Sequence, residues 1–197
     1  MAYPPRIEVP HGYYHVSTRG NNRRSIYADD FDRRVFLQIL LRIARREGWL
    51  LYAYCLMGNH YHLVMQIAEN RLSGGMCQLN TAYAVTYNGR HARTNHLFGR
   101  RYWSELIRTD AHLVAACRYV VQNPVRADFC ASCEGWEWSS YRATIGSATP
   151  VPFLAVRDVL DFVAPGAKDP VARFREYCGA IVPRRPVDRS HGAWQPP

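Results

Sequence analysis

The chain has 197 residues, 48% of them hydrophobic, enough to bury one core and too apolar for a generally disordered polymer. Its formal charge of +9 and pI of about 9.5 point to a polyanionic partner; only Lys168 of the 25 basic residues is a lysine, a bias that suits phosphate and base recognition and that a GC-rich genome also produces. No apolar run approaches the ~18 residues of a membrane span, and "MAYPPRIEVP" does not read as a signal peptide, so no membrane contact and a reducing, cytoplasmic setting near the nucleoid are expected.

Residues 12–20, "GYYHVSTRG", read as a strand that runs into a polar, basic loop, "NNRRSIY". Residues 29–47 have an acidic start, a basic end, and Phe36, Leu37, Leu40, Leu41 and Ala44 at helical spacing, which predicts a helix oriented as the macrodipole prefers. Residues 49–57 form an apolar, aromatic-rich strand, Gly58-Asn59 a tight turn, and residues 60–68 the hairpin partner. A second helix covers 70–88, weakened by Gly74 and Gly75, and a further strand covers 102–108. A third helix covers 110–123, with Asp110 as N-cap and Pro124 as its stop. Short helices follow near 155–163 and 169–179.

The order β-α-β-β-α-β is that of a ferredoxin-like split βαβ unit: an α+β fold whose antiparallel sheet is expected to carry helices on one face. The expected organisation is a domain over residues 1–145, a helical extension over 146–180, and a flexible Pro/Arg-rich tail over 181–197. Six cysteines lie mostly in apolar patterns and read as small hydrophobes. Cys130-x-x-Cys133 is half of a zinc pattern without a second CxxC.

His60 and His62 interrupt the apolar strand "HYHLV". Residues i and i+2 of a strand share a face at ~6.5–7 Å, so the two imidazoles either pack as core histidines or converge on one cation. In the third helix, His112, Ala116, Tyr119 and Asn123 lie along one stripe, beside an apolar side of Leu113, Cys117, Val120 and Val121. The stripe reads either as an amphipathic helix with a core tyrosine or as a site that presents Tyr119 and the Asn123 carbonyl to the same cation.

Five blocks in register carry a family resemblance: "GYYHVSTRGNNRRSIY", "YCLMGNHYHLV", "YNGRHARTNHLFGRRYWSELI", "CRYVVQNPVRA" and "WEWSSYRA". Together they span about residues 6–145, and the chain resembles the REP-associated tyrosine transposases, which are IS200-like single-tyrosine transposases within the HUH nucleases. The resemblance implies that Tyr119 is the nucleophile, that His60 and His62 are the metal-binding pair, and that Asn123 is the polar third ligand. It implies Mg²⁺ or Mn²⁺; two imidazoles by themselves lean toward Mn²⁺ or Zn²⁺. It implies single-stranded DNA carrying hairpins as substrate, and either a monomer or a homodimer. Gly58 stands where proline is common in the family, Asn95 and Asp128 where glycine is common, and "FGRRY" replaces a more usual glutamine-glycine-arginine, which puts target specificity and loop shape in question.

Candidate DNA contacts are Arg19, Asn21, Arg23, Arg24, Asn59, Arg100, Arg101 and Arg126, with Asn21 and Asn59 able either to touch bases or to orient ligands. Trp136, Trp138 and Tyr141 read as core or as base-stacking platforms. The expected chemistry is in-line attack by Tyr119, leaving a 5′-phosphotyrosine and a free 3′-OH. A phenol of pKa ≈ 10 is only ~0.1% ionised at neutral pH, so a neighbouring cation is needed. Three other readings are an idle hairpin-binding descendant, an RNA-binding ferredoxin-like domain, and a phosphodiesterase that releases free ends. Intact His60, His62, Tyr119 and Asn123 argue against the first, and "YHLVMQIA" lacks the glycine-aromatic pattern of the second. The third predicts no protein–DNA adduct.

Overall fold

The computed structural model describes residues 8–69 and 71–180; the tail expected from 181 lies outside the described residues. Strands β1 (Tyr13–Arg19), β2 (Leu50–Leu56), β3 (His60–Gln66) and β4 (Trp103–Ile107) pair antiparallel in the order β2-β3-β1-β4. Helix α1 (Asp30–Glu47) joins β1 to β2, and α2 (Leu72–Arg90) joins β3 to β4, completing the split βαβ unit. Helix α3 (Asp110–Arg126) follows β4, and α4 (Tyr141–Thr144), α5 (Val156–Val163) and α6 (Pro170–Gly179) follow among the described residues.

The expectation of helices on one face is corrected. The interiors of β1, β2 and β3 are buried on both sides, so both faces need cover. Helices α1 and α2 cover the face that presents Tyr14, Val16, Tyr61 and Leu63. Helices α3, α5 and α6 cover the other, where Ala53, Cys55 and Val64 meet Leu113, Cys117, Val120 and Phe174. A bulge at Tyr52, between Leu51 paired with Met65 and Ala53 paired with Val64, changes which face β2 presents along its length.

Local signals set the helix ends. Asp29 caps α1 by accepting from the Asp32 amide at 3.0 Å, and Gly48 ends it in the left-handed region at φ 66°. The buried stripe of α1 is Phe36, Ile39, Leu40, Ile43 and Ala44, with Leu37 and Leu41 only half-buried. Phe36, Leu40 and Ala44 of the expected stripe lie in it, and Leu37 packs against its edge. Arg90 of α2 reaches across to buried Asp32 with a 2.6 Å hydrogen bond.

Helix α3 is capped by the Thr109 hydroxyl, which accepts from His112 N at 3.1 Å, rather than by Asp110. Pro124 does not stop it. The helix continues to Arg126, because a proline in the last turn forfeits one hydrogen bond while the later amides still close theirs: Ala127 N donates to Asn123 O at 3.0 Å. The chain leaves the helix at Asp128, φ 58°, in the left-handed region that glycine adopts most easily.

Candidate functional site

The site forms where the ends of β1 and β3 face α3. In the antiparallel register Ser17 lies opposite His62 and Arg19 opposite His60, so the strand pair places these four residues by backbone geometry alone. His60 and His62 have ring centroids 5.1 Å apart. The Tyr119 ring projects from α3 to within 5.7 Å of His62. The His15 ring, also on β1, is 5.7 Å from Tyr119 and 5.2 Å from His62.

Burial keeps the imidazoles neutral. His62 is fully buried; loss of hydration, then His15, His60 and Arg19, hold its pKa well below the usual histidine value. His60 is pushed down to about 4 by burial and then by Arg19, and His15 to about 3 by burial and then by His112. Neutral imidazoles have the lone pairs a metal requires.

Hydrogen bonds aim those lone pairs. The Asn59 amide nitrogen donates to the Arg23 carbonyl at 2.9 Å, which turns its oxygen toward His60. That oxygen is 2.7 Å from His60 Nδ1, so Nδ1–H donates and the lone pair sits on Nε2. Asn59 therefore orients the His60 ring. His62 Nε2 and Ser17 Oγ are buried with no hydrogen-bond partner among the described residues, which leaves two polar atoms at paired strand positions to be satisfied by a bound group.

Asn123 is buried one turn beyond Tyr119, and its amide nitrogen donates to the Tyr119 carbonyl at 2.9 Å, so its oxygen is the end not engaged in that bond. By donor chemistry, two neutral imidazoles on β3 and an amide oxygen on α3 suit a divalent cation. Among the described residues no group of three or more His, Cys, Asp or Glu side chains is arranged to hold a metal. The same finding leaves Cys130 and Cys133 without zinc partners among the described residues.

The basic candidates come from distant parts of the chain and gather here. Gly20 N donates to Asn59 O at 2.8 Å, Asn21 N to Leu97 O at 2.8 Å, and Gly99 N to Arg19 O at 3.2 Å. These bonds stitch the loop bearing Asn21, Arg23 and Arg24, the turn before His60, and the loop leading to Arg100 and Arg101 into one rim. Gly20 is required by crowding, since a Cβ there would fall 2.2 Å from the Arg24 carbonyl oxygen. Arg19 attracts Tyr119 electrostatically, and the Arg126 guanidinium lies over the Tyr119 ring at 5.3 Å.

Trp136, Trp138 and Tyr141 lie elsewhere. Trp136 Nε1 donates to the Leu56 carbonyl at 3.2 Å and its ring stacks on Phe129; Tyr141 is buried against Phe174. Asp30, Arg33, Gly135, Trp136, Glu137, Trp138 and Arg142 line a cavity of about 340 Å³ that none of His60, His62 and Tyr119 borders. Sequence reading missed His15 and Ser17. Their only signal was a polar alternation, His15 and Ser17, within "YHVST", which becomes informative once β1 is known to pair with β3.

Comparisons with known proteins agree on the class of molecule. Residues 8–123 match the family model described as transposase IS200 like. A Haemophilus influenzae protein named as a REP-associated tyrosine transposase is 27% identical over 104 residues, which cover 47% of this chain and 59% of that relative's length. The solved structure of a REP-associated tyrosine transposase bound to a REP hairpin superposes with a TM-score of 0.65 at 15% identity, over 78% of this chain and 90% of the other. The two share the α+β fold: a four-stranded antiparallel sheet with packed helices.

Proposed function

Because the chain belongs to the IS200-like transposase family, we propose that it is a metal-dependent single-strand DNA endonuclease and strand transferase that acts beside DNA hairpins through a tyrosine nucleophile. The observation that carries this reading is the meeting of two neutral imidazoles, their rings 5.1 Å apart, with the Tyr119 ring 5.7 Å from His62. The names of the two relatives support a palindromic hairpin as the target.

His60, His62 and Asn123 would hold the cation, Mg²⁺ or Mn²⁺, which when bound supplies charge neutralisation at the scissile phosphate. Tyr119 attacks phosphorus in line. A bond forms between the phenol oxygen and phosphorus, and the bond from phosphorus to the 3′-oxygen breaks. The phenol proton passes to solvent and the departing 3′-oxygen takes one up. The product is a 5′-phosphotyrosine that a second 3′-OH can resolve, because the linkage keeps the energy of the phosphodiester. The Arg126 cation over the ring and Arg19 beside it favour negative charge developing on the phenol oxygen. Arg23, Arg24, Arg100 and Arg101 on the rim, with Asn21, hold the single-stranded backbone next to the cut.

Residues 1–145 form the catalytic domain in this reading, and the extension over 146–180 braces the nucleophile helix. The Gln122 amide donates to the Cys178 and Ala180 carbonyls at 2.7 and 3.0 Å, and Phe174 packs in the core behind α3. The test is incubation of the chain with Mn²⁺ and a hairpin oligonucleotide carrying single-stranded flanks, followed by denaturing electrophoresis. The label on the 5′ end of the downstream fragment should migrate with protein after boiling in SDS and map to the peptide "YVVQNPVR". Tyr119→Phe removes one oxygen and should abolish both cleavage and adduct while leaving hairpin affinity within about twofold. Normal cutting by Tyr119→Phe, or an adduct on Tyr61 or Tyr141, would sink the proposal.

A further inference from the structure

We infer that His15 is a positioning residue that fixes His62 in the tautomer able to bind the cation, so that β1 controls a ligand carried by β3. The inference rests on the metal reading above and adds a residue to it.

His15 Nε2 and His62 Nδ1 are 3.0 Å apart, and both rings are buried, at 4% and 0% exposure. Two ring nitrogens at that distance share one proton, since two N–H groups or two lone pairs facing each other repel. Two arrangements satisfy this. In one, His15 Nε2–H donates to His62 Nδ1. Neutral His62 then carries its proton on Nε2, where it is a buried N–H with no acceptor among the described residues and no lone pair for a metal. In the other, His62 Nδ1–H donates to the His15 Nε2 lone pair, and His62 Nε2 presents its own lone pair into the site. Only the second arrangement makes His62 a ligand.

The role parallels that of Asn59 toward His60: each ligand histidine has its Nδ1 engaged at 2.7 or 3.0 Å, which leaves Nε2 for the cation. The two orienting groups differ in kind. An amide oxygen can only accept, whereas an imidazole can reverse. The Trp103 ring edge-on at 5.1 Å and the Tyr119 ring at 5.7 Å limit how the His15 ring can turn, which keeps its Nε2 facing His62 Nδ1; a tautomer measurement reads the sense of the shared proton. The Tyr119 contact also ties the orienting residue to the nucleophile.

The test uses the full chain, metal-free and then titrated with Mn²⁺. Long-range ¹⁵N–¹H correlation on the wild type reads the tautomers without any metal present, and we expect His62 protonated on Nδ1. His15→Gln sets an amide oxygen near the position of Nε2 and should keep both that tautomer and the Mn²⁺ affinity within a few-fold. His15→Phe removes the acceptor, and should shift His62 toward the Nε2–H form and weaken Mn²⁺ about 10–100-fold by calorimetry. A structural role alone would lower thermal stability in both variants and leave the tautomer where it was. The inference is overturned by a wild-type His62 protonated on Nε2, or by a folded His15→Phe chain with unchanged tautomer and Mn²⁺ affinity. A wild-type chain with His62 protonated on Nδ1 and no Mn²⁺ binding would overturn the underlying metal reading instead.

Discussion

At the scale of single residues, desolvation outweighs the other effects on His15, His60 and His62. For His15, His60 and His62 the first cause of the lowered pKa is burial, with neighbouring charges second. Near neutral pH a cation at these histidines would therefore not have to compete with imidazolium formation. The double variant His60→Ala with His62→Ala should lose the thermal stabilisation that Mn²⁺ gives the wild type, which for a ligand at 100 times its Kd is about 2.7 kcal/mol. Thermal scans with and without Mn²⁺ check this, and hairpin affinity should survive because the arginine rim is untouched. A Mn²⁺-dependent shift that persists in the double variant would place the cation elsewhere.

At the scale of elements, adjacent glycines in α2 do opposite things. A Cβ at Gly75 would fall 2.3 Å from Cζ2 of Trp49, a side chain only 1% exposed, whereas a Cβ at Gly74 would meet nothing within 4 Å. Gly75 is thus the price of seating the indole between α2 and the start of β2, and Gly74 is merely a poor helix former. Gly75→Ala should destabilise by about 1–3 kcal/mol through overpacking, and Gly74→Ala should stabilise by about 0.5–1 kcal/mol. Chemical denaturation of the two variants decides the signs. The exit of α3 follows similar logic. Asp128 takes a left-handed φ of 58° where glycine would sit without strain, so Asp128→Gly should not destabilise the chain and should leave the helix end in place. Circular dichroism and the melting temperature check it.

At the scale of the molecule, the charge of +9 becomes useful because folding collects part of it. Arg19, Arg23, Arg24 and the loop to Arg101 are joined at one end of the sheet by bonds among three segments that are far apart in sequence. Affinity for a flanked hairpin should fall steeply between low and physiological salt, and Arg24→Ala should reduce the slope of log K against log salt by about 0.7. Fluorescence anisotropy at several salt concentrations measures both. A flat salt response would remove the rim from the interface. Among the described residues no helix is long and apolar enough to cross a membrane.

The sequence by itself determined the four strands, the helices other than α4, and their order, because periodicity, capping residues and turn chemistry act over a few neighbours. The strand from 12 to 20 contains β1, residues 155–163 contain α5, and residues 169–179 contain α6. It also paired His60 with His62, since strand alternation is a local fact, and put Tyr119 and Asn123 on one helix face. Tertiary structure decided the rest. Which face α3 covers depends on how much apolar surface β1, β2 and β3 leave on their second side, and that is a property of the assembled sheet. The continuation of α3 past Pro124 depends on hydrogen bonds made after it. His15 and Ser17 join the site only through the register of β1 against β3, and the loop arginines gather only when the segments near residues 20, 59 and 98 bond to one another. Contacts between residues so far apart leave no mark in any short window of sequence, because the free energy that selects them comes from burying both faces of the sheet at once.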